Sequence, residues 1–253
     1  MISFKEKTSL VSSICKILIT ILINFVPLKG QNNEELLFSH QHGIYSEPFT
    51  LTISSDIREA KIRYTLDGSN PLTSQSAFVQ DSSVSITIDP TITTNRDKAP
   101  GYIVTACATF SDTLVSKIIT QTYLFVNKII ELSPDNQVPG PGWLVPGSNV
   151  QQISYGLDPQ VYNDARYQPQ MITAFTSIPT LSLVTDLKNL FNPDSGIYVN
   201  AFYHGDEWER SASLELIIPD GGKGFQINCG VRIRGGWSRH PEDPIHAFRI
   251  LFN

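Results

Sequence analysis

The sequence is poor in cysteine and in positive charge, and both deficits limit what the protein can be. Only 3 cysteines occur in 253 residues, too few for a disulfide framework. Cys107 and Cys229 lie in apolar segments assigned to different domains, where buried free thiols are favoured over a cross-domain disulfide. The 19 lysines and arginines are outnumbered by 24 acidic residues. No basic stripe is present, so nucleic acid is not expected as a partner.

Long apolar runs are also absent. The longest, Ile17–Val26, has about ten residues, whereas a spanning helix needs about 20. It follows Lys5 and Lys16 and precedes the polar stretch 31–35. This layout predicts a signal peptide over residues 1–30, with a membrane anchor as the alternative. We therefore expect an exported protein at the cell surface or outside the cell, without a stable membrane span after cleavage.

Short β-rich runs follow one another along the next part of the chain. Each run alternates apolar with polar residues, which gives a strand one core face and one wet face. The runs are Phe49–Ile53, Lys61–Leu66, Val84–Ile88, Tyr102–Phe110 and Ser116–Phe125. Turns separate them and no helical pattern intervenes, so residues 36–127 are predicted to form a β-sandwich. The Asp67-Gly68 turn is expected to be structural and not a ligand site.

Proline and glycine accumulate between residues 128 and 154, notably at 138–147. Proline cannot donate to a strand ladder and glycine adds flexibility, so this segment is predicted to be a connector. Trp143, within it, could stack on a sugar ring as a lone aromatic. We favour the alternative that it packs the connector onto a neighbouring domain.

Residues 155–253 mix helical and extended patterns and predict an incomplete α+β domain. Helical turns are expected at Asp158–Tyr162, Pro169–Ser177 and Asp186–Phe191, and extended segments at Pro179–Thr185, Gly196–Val199, Ala212–Ile218, Phe225–Arg234 and Ala247–Phe252. Turns such as Pro219–Gly222 are too short for a parallel crossover, so antiparallel pairing should predominate. The fold class is therefore mainly β: a fibronectin-III/Ig-like sandwich followed by this α+β part.

Part of the predicted sandwich resembles a known family. Tyr64–Thr73, preceded by Gly43–Phe49 and followed by Thr120–Tyr123, resembles the chitobiase/β-hexosaminidase C-terminal domain, also called the GH29D-like β-sandwich. The resemblance covers residues 38–127. It implies an accessory module of extracellular enzymes, often ones that act on polysaccharides, and no catalytic residues.

The following part resembles CotH-kinase-like proteins, the family of spore coat protein H. Several motifs stand in order: Tyr155–Pro159, Ile178–Ser182, Asn189–Pro193, Gly196–Asn200, Trp208–Ser213 and Arg232–Arg239. The resemblance implies an atypical kinase-related fold that transfers phosphate from ATP with a divalent metal such as magnesium. It also implies that residues 155–253 are only the N-terminal part of that domain.

The chain departs from the CotH-like pattern in two ways. Ile245 stands where the family generally places a lysine that neutralises nucleotide phosphates. The family's metal-binding and catalytic acidic residues lie beyond Asn253. We therefore assign no catalytic or metal-binding residue and no cofactor to this chain, since phosphoryl transfer depends on metal ions and positioned carboxylates.

One loop is a candidate phosphate or nucleotide site. Glycines after a predicted strand can turn backbone N–H groups toward an anion, and nearby arginines can hold it. The candidate residues are Arg234, Gly235, Gly236, Ser238, Arg239 and Arg249. The alternative is a hairpin bend in which the glycines serve geometry and the arginines face water.

Two other clusters fit known sites poorly. His40 and His42 lack the third ligand that a zinc site needs. Asp206–Glu209 places several carboxylates near His204, but adjacent residues of a strand point to opposite faces, so a solvated turn is favoured over a glycosidase pair.

Two function classes remain open. The first is a secreted or surface-associated CotH-kinase-like fragment with an accessory β-sandwich, inactive by itself. The second is a non-catalytic extracellular module that binds carbohydrate or a cell-surface protein.

Overall fold

A computed structural model of the protein describes residues 36–98, 101–129 and 138–252. The predicted signal peptide, residues 1–30, and part of the predicted connector lie outside the described residues. Strand outweighs helix by 34% to 12%, which makes the protein mainly β as predicted. Within the described ranges, every helix is too short or too polar to cross a membrane.

The strands form three sheets. Their bounds are β1 Leu37–Phe38, β2 Gly43–Ile44, β3 Phe49–Ser54, β4 Lys61–Thr65, β5 Phe78–Gln80, β6 Ser83–Ile88, β7 Gly101–Phe110, β8 Thr113–Leu114, β9 Ile119–Leu124, β10 Thr180–Val184, β11 Arg210–Ile217, β12 Phe225–Arg234 and β13 Ala247–Leu251. The first sheet has the order β1-β3-β6 and the second the order β2-β9-β7-β4-β5, with β8 paired to β7. The third sheet, β10-β11-β12-β13, is antiparallel throughout.

The first two sheets pack against each other as a β-sandwich. Alternation along β3 buries Leu51 and Ile53, and alternation along β6 buries Ile86 and Ile88. These side chains share one core with residues of the second sheet such as Val104. Burying such a set of branched apolar side chains contributes roughly 1.5–3 kcal/mol per residue, which explains why the alternating pattern decides the fold here.

Glycine at position 68 fits the close approach between the sandwich and the third sheet. Gly68 has a φ of +74°, and a Cβ there would lie 2.9 Å from Cγ1 of Val184 in β10. The preceding Asp67 accepts a hydrogen bond from Ser69 N at 3.0 Å, which closes the turn. Both observations are consistent with the structural role predicted for this turn.

A buried carboxylate joins the third sheet to the outer face of the sandwich. Glu215 of β11 is 0% exposed. One of its oxygens lies 3.0 Å from Nδ1 of His42 and accepts a hydrogen bond from Thr122 N at 3.0 Å. The other accepts the Thr122 hydroxyl, which also lies 2.9 Å from the hydroxyl of Ser182 in β10.

The opposite face of the third sheet covers a second, smaller core. Its buried members are Ile197, Ala201, Ala212, Val231 and Ile233. The helices are short: α1 Val126–Ile129, α2 Pro159–Tyr162, α3 Met171–Phe175 and α4 Leu187–Phe191, with 3₁₀ turns at Gln168–Gln170, Asp206–Trp208 and Trp237–Arg239. The side chain of Asp186 caps α4 by accepting a hydrogen bond from Lys188 N.

One local prediction is wrong. Gly196–Val199 is not extended: it folds into turns in which Gly196 N donates to Asn192 O at 2.7 Å and Tyr198 N donates to Leu190 O at 3.0 Å. Backbone hydrogen bonds between near neighbours there override an apolar pattern that is compatible with a strand. The turn expected at Asp206–Glu209 is found, as the 3₁₀ turn Asp206–Trp208.

The described part of the connector packs onto both neighbouring regions through Trp143. Its indole Nε1 donates to Asp97 Oδ2 at 2.6 Å, on the sandwich side. Its ring lies 5.5 Å from that of Tyr155 and 6.0 Å from that of Phe191, measured between centroids. The packing role predicted for Trp143 is therefore confirmed.

Candidate functional site

The predicted phosphate loop begins where β12 ends and is closed by its own side chains. Gly235 has a φ of +109°, a conformation that glycine adopts at little cost. The Ser238 hydroxyl donates to Arg234 O at 2.9 Å and would collide with a Cβ at Gly235, 2.2 Å away. The Ser238 hydroxyl therefore turns toward the loop backbone.

Arg239 is committed to the protein backbone. Its guanidinium donates to the carbonyls of Gly235 at 2.6 Å, Ile233 at 2.5 Å, Tyr203 at 2.9 Å and also Ala201. A guanidinium has five N–H donors, so these four bonds leave little capacity for a ligand. The side chain ties the 201–203 segment to the end of β12.

The other two candidate arginines share one face of the third sheet. Arg232 and Arg234 are two residues apart in β12, and Arg249 of β13 stands opposite Arg232 in the register, so all three side chains project to the same face. Arg232 is neutralised by Glu209 at 2.5 Å and Asp206 at 2.6 Å. Both carboxylates, Glu209 first, raise the pKa of Arg232.

Arg234 and Arg249 are exposed and make no hydrogen bond or ion pair with any residue that the structure describes. They are the two candidate residues whose donors remain available to an anion. Ile245, at the position that the CotH-like pattern gives to lysine, is 77% exposed. It brings an apolar side chain and no charge to this surface. Phosphate binding at the loop stays a prediction.

Next to Ile245, the His246 ring is buried. Its Nδ1 lies 2.7 Å from Ser238 O and its Nε2 lies 3.0 Å from Gln151 Oε1. Burial lowers the pKa of His246, because the charged imidazolium is poorly solvated there. The ring therefore joins the candidate loop to the end of the connector.

The remaining ionisable clusters are occupied by structural contacts. His42 is used by Glu215, and the ring of His40 packs 4.3 Å from that of Phe49. Within ranges 36–98, 101–129 and 138–252, His, Cys, Asp and Glu form no group of three that could hold a metal ion. The carboxylate of Glu209 pairs with Arg232, 23 residues further along the chain.

Both described cysteines are free thiols, as predicted. Burial raises the pKa of the Cys107 thiol to about 11 and also raises the pKa of the partly buried Cys229. The thiolate is the nucleophilic form of cysteine. Neither residue is therefore set up as a nucleophile near neutral pH.

A cleft between the second and third sheets has no counterpart in the sequence-based predictions. Its volume is about 260 Å³. Its lining combines apolar side chains, such as Ile118, Val184 and Ala212, with polar ones, namely Thr105 and Thr120 of the sandwich, Lys188 and Asn189 of α4, and Asn228 of β12. These residues are separated by up to 123 positions in the chain. Because they are so far apart, no local sequence pattern indicates that they line one cleft.

Comparison with known proteins supports one of the two resemblances. No curated protein and no solved structure matches the chain. The CotH-kinase-like resemblance of residues 155–253 stays a prediction. Residues 40–96, which hold the Asp67-Gly68 turn and strands β2 to β6, match the family model of the chitobiase/beta-hexosaminidase C-terminal domain.

Proposed function

We propose that this chain is an exported accessory protein in which a β-sandwich is joined to a CotH-kinase-like segment, and that the chain transfers no phosphate by itself. Two observations support the accessory role. The domain matched by residues 40–96 occurs in glycosidases, which are often extracellular. The sandwich also supplies the three donors that satisfy the buried Glu215.

The observation that carries the absence of phosphoryl transfer is the state of the arginines around the candidate loop. Arg239 is bound by four backbone carbonyls and Arg232 by two carboxylates. Among the residues that the structure describes, Arg234 and Arg249 are the cations that remain unpaired on this face. ATP with a bound metal would bring its own charge neutralisation, but the protein must still position the phosphates and the metal. Asp206 and Glu209, two carboxylates at this face, are already paired with Arg232.

A phosphotransfer assay tests this proposal. The purified chain is incubated with radiolabelled ATP, magnesium or manganese, and acceptor proteins such as casein and myelin basic protein. We expect no incorporation above a control without the chain. Incorporation that is lost in Arg234→Ala and kept in Arg58→Ala, a change at an exposed arginine of the sandwich, would contradict the proposal.

A second function is favoured by the cleft between the second and third sheets. In this proposal the chain is a non-catalytic module that binds extracellular carbohydrate. An open cleft in which amides and hydroxyls stand among apolar side chains suits a sugar, because each hydroxyl of such a ligand needs a partner when it leaves water while its C–H faces pack on apolar groups.

Retention on insoluble polysaccharides tests the second function. The chain is mixed with chitin, cellulose or a mannan, and the bound fraction is compared with that on uncharged polyacrylamide beads, which contain no sugar. Saturable retention on at least one polysaccharide is expected. Equal retention on every material, polyacrylamide included, would contradict carbohydrate binding.

A further inference from the structure

We infer that the cleft between the second and third sheets is the carbohydrate site of this protein, and that it takes one uncharged sugar ring. The inference rests on the second proposed function, carbohydrate binding, and assigns it to particular residues.

The floor consists of two buried threonine hydroxyls. Thr105 and Thr120 are 4% and 2% exposed, stand opposite each other in the β7–β9 register, and both line the cleft. Their hydroxyl oxygens are 3.3 Å apart. A hydroxyl can donate one hydrogen bond and accept two, so this single contact leaves donor and acceptor capacity at the bottom of the cleft.

The walls present polar groups that neighbouring residues hold in place. Asn228 donates to Ile118 O at 2.9 Å and accepts from Gln226 at 3.0 Å. Asn189 donates from Nδ2 to Thr185 at 2.9 Å, which leaves its carbonyl oxygen free of any partner among the residues described. Groups fixed before binding lose little conformational entropy when a ligand arrives.

Charge and size narrow the ligand class. The ammonium of Lys188 lies 3.0 Å from the carboxylate of Asp186. Both residues line the cleft, so their opposite charges neutralise each other there. A neutral ligand is therefore preferred over a phosphate or a polyamine. The volume of about 260 Å³ is smaller than that of pockets for drug-sized ligands, roughly 300–1,000 Å³. One pyranose ring with its hydroxyl or acetamido groups is the size that this space admits.

Three matched threonine-to-valine variants test the assignment by isothermal titration calorimetry. Thr120→Val removes a floor hydroxyl without changing the volume, and Thr73→Val does the same at an exposed position of the lining. Thr87→Val changes an exposed threonine of β6 in the first sheet, away from the cleft. The ligands are chitotetraose, cellotetraose, mannotetraose and tetragalacturonate.

We expect the wild-type chain to bind at least one neutral tetrasaccharide. Thr120→Val and Thr73→Val should each weaken binding at least fivefold, and Thr87→Val less than twofold. Failure of the wild type to bind any saccharide, soluble or insoluble, would overturn the carbohydrate function itself. Binding that all three variants retain equally, or a preference for tetragalacturonate, would overturn the cleft assignment and leave carbohydrate binding standing. Because Thr73 is exposed, its variant remains informative even if Thr120→Val fails to fold.

Discussion

His42 Nδ1 lies 3.0 Å from a carboxylate oxygen of Glu215, although 173 residues separate the two in the chain. The carboxylate is fully buried, so its hydrogen bonds must come from the protein. All of its donors, the imidazole of His42 and the amide and hydroxyl of Thr122, belong to the sandwich. The third sheet therefore depends on the sandwich to satisfy this carboxylate.

Removal of this carboxylate should destabilise the whole described fold. Glu215→Ala leaves the Thr122 amide and the His42 ring without their hydrogen-bond partner in a buried place, so we expect the free energy of unfolding to fall by about 3 kcal/mol. Glu215→Gln keeps one acceptor oxygen, so its free energy of unfolding should fall by less. Urea denaturation followed by circular dichroism measures both.

Glu47→Ala is the control for these variants, because Glu47 is exposed on the sandwich. A surface change of this kind is expected to stay within about 0.5 kcal/mol of the wild type. If Glu215→Ala is no more destabilising than Glu47→Ala, the buried carboxylate does not hold the sheets together.

Gly68 and Gly221 share a backbone conformation but differ in their surroundings, so alanine variants at the two positions can be compared. Gly68 and Gly221 have φ angles of +74° and +75°, but a Cβ at Gly68 would meet Val184 at 2.9 Å while one at Gly221 would meet nothing within 4 Å. In both alanine variants the free energy of unfolding should fall by about 1–2 kcal/mol, because alanine is strained in the left-handed conformation. In Gly68→Ala the free energy of unfolding should fall by about a further 1 kcal/mol, because the added methyl group overpacks the contact with Val184. Equal urea midpoints would show that the contact with Val184 is easily relieved.

The hydrogen bond from Trp143 to Asp97 should contribute to the docking of the connector. Trp143→Phe keeps an aromatic ring but removes the indole donor, and hydrogen bonds to charged groups contribute about 1.5–3 kcal/mol. We expect the free energy of unfolding to fall by an amount in this range. Thermolysin, which cleaves before leucine, valine and isoleucine, should also cut the connector faster. Trp237→Phe, at a side chain that is 79% exposed, is the matched control. Cleavage rates that are the same in both variants would argue against a docked connector.

Stability should fall with acid partly because of His246. Burial lowers its pKa below the ordinary value of 6.5, so the unfolded chain takes up a proton on this ring before the folded chain does. Stability is therefore present above about pH 6.5 and lost as the pH falls toward the lower, folded pKa. His246→Gln should reduce the change in urea midpoint between pH 7.5 and 5.5, whereas His204→Gln, at an exposed ring, should not. Identical pH profiles for the wild type and His246→Gln would refute the assignment.

The longer strands could be predicted from the sequence because their pattern is local. The predicted bounds of β12, Phe225–Arg234, agree with the structure. The predicted strand Phe49–Ile53 is one residue shorter than β3, which ends at Ser54. Strands of two or three residues, such as Gly43–Ile44, are too short to show an alternation. The parallel pairing of Gly43 with Tyr123 depends on residues 80 positions apart, which no local pattern encodes.

The candidate sites are also predictable from the sequence only where their features are local. The period of two places Arg232 and Arg234 on one face, and the sequence alone predicts this much. The carbonyls that hold Arg239 belong partly to the 201–203 segment, whose approach depends on tertiary packing. The cleft between the sheets is likewise formed by residues from distant elements, so neither its floor nor its walls could be inferred before the fold was known.

Differential scanning calorimetry of the purified chain tests most directly whether the sandwich and the third sheet form one unit. If they do, the protein should unfold in a single transition whose calorimetric and van't Hoff enthalpies agree, and Glu215→Ala should lower the midpoint of that whole transition. Two resolved transitions, one of which keeps its midpoint in Glu215→Ala, would contradict the account.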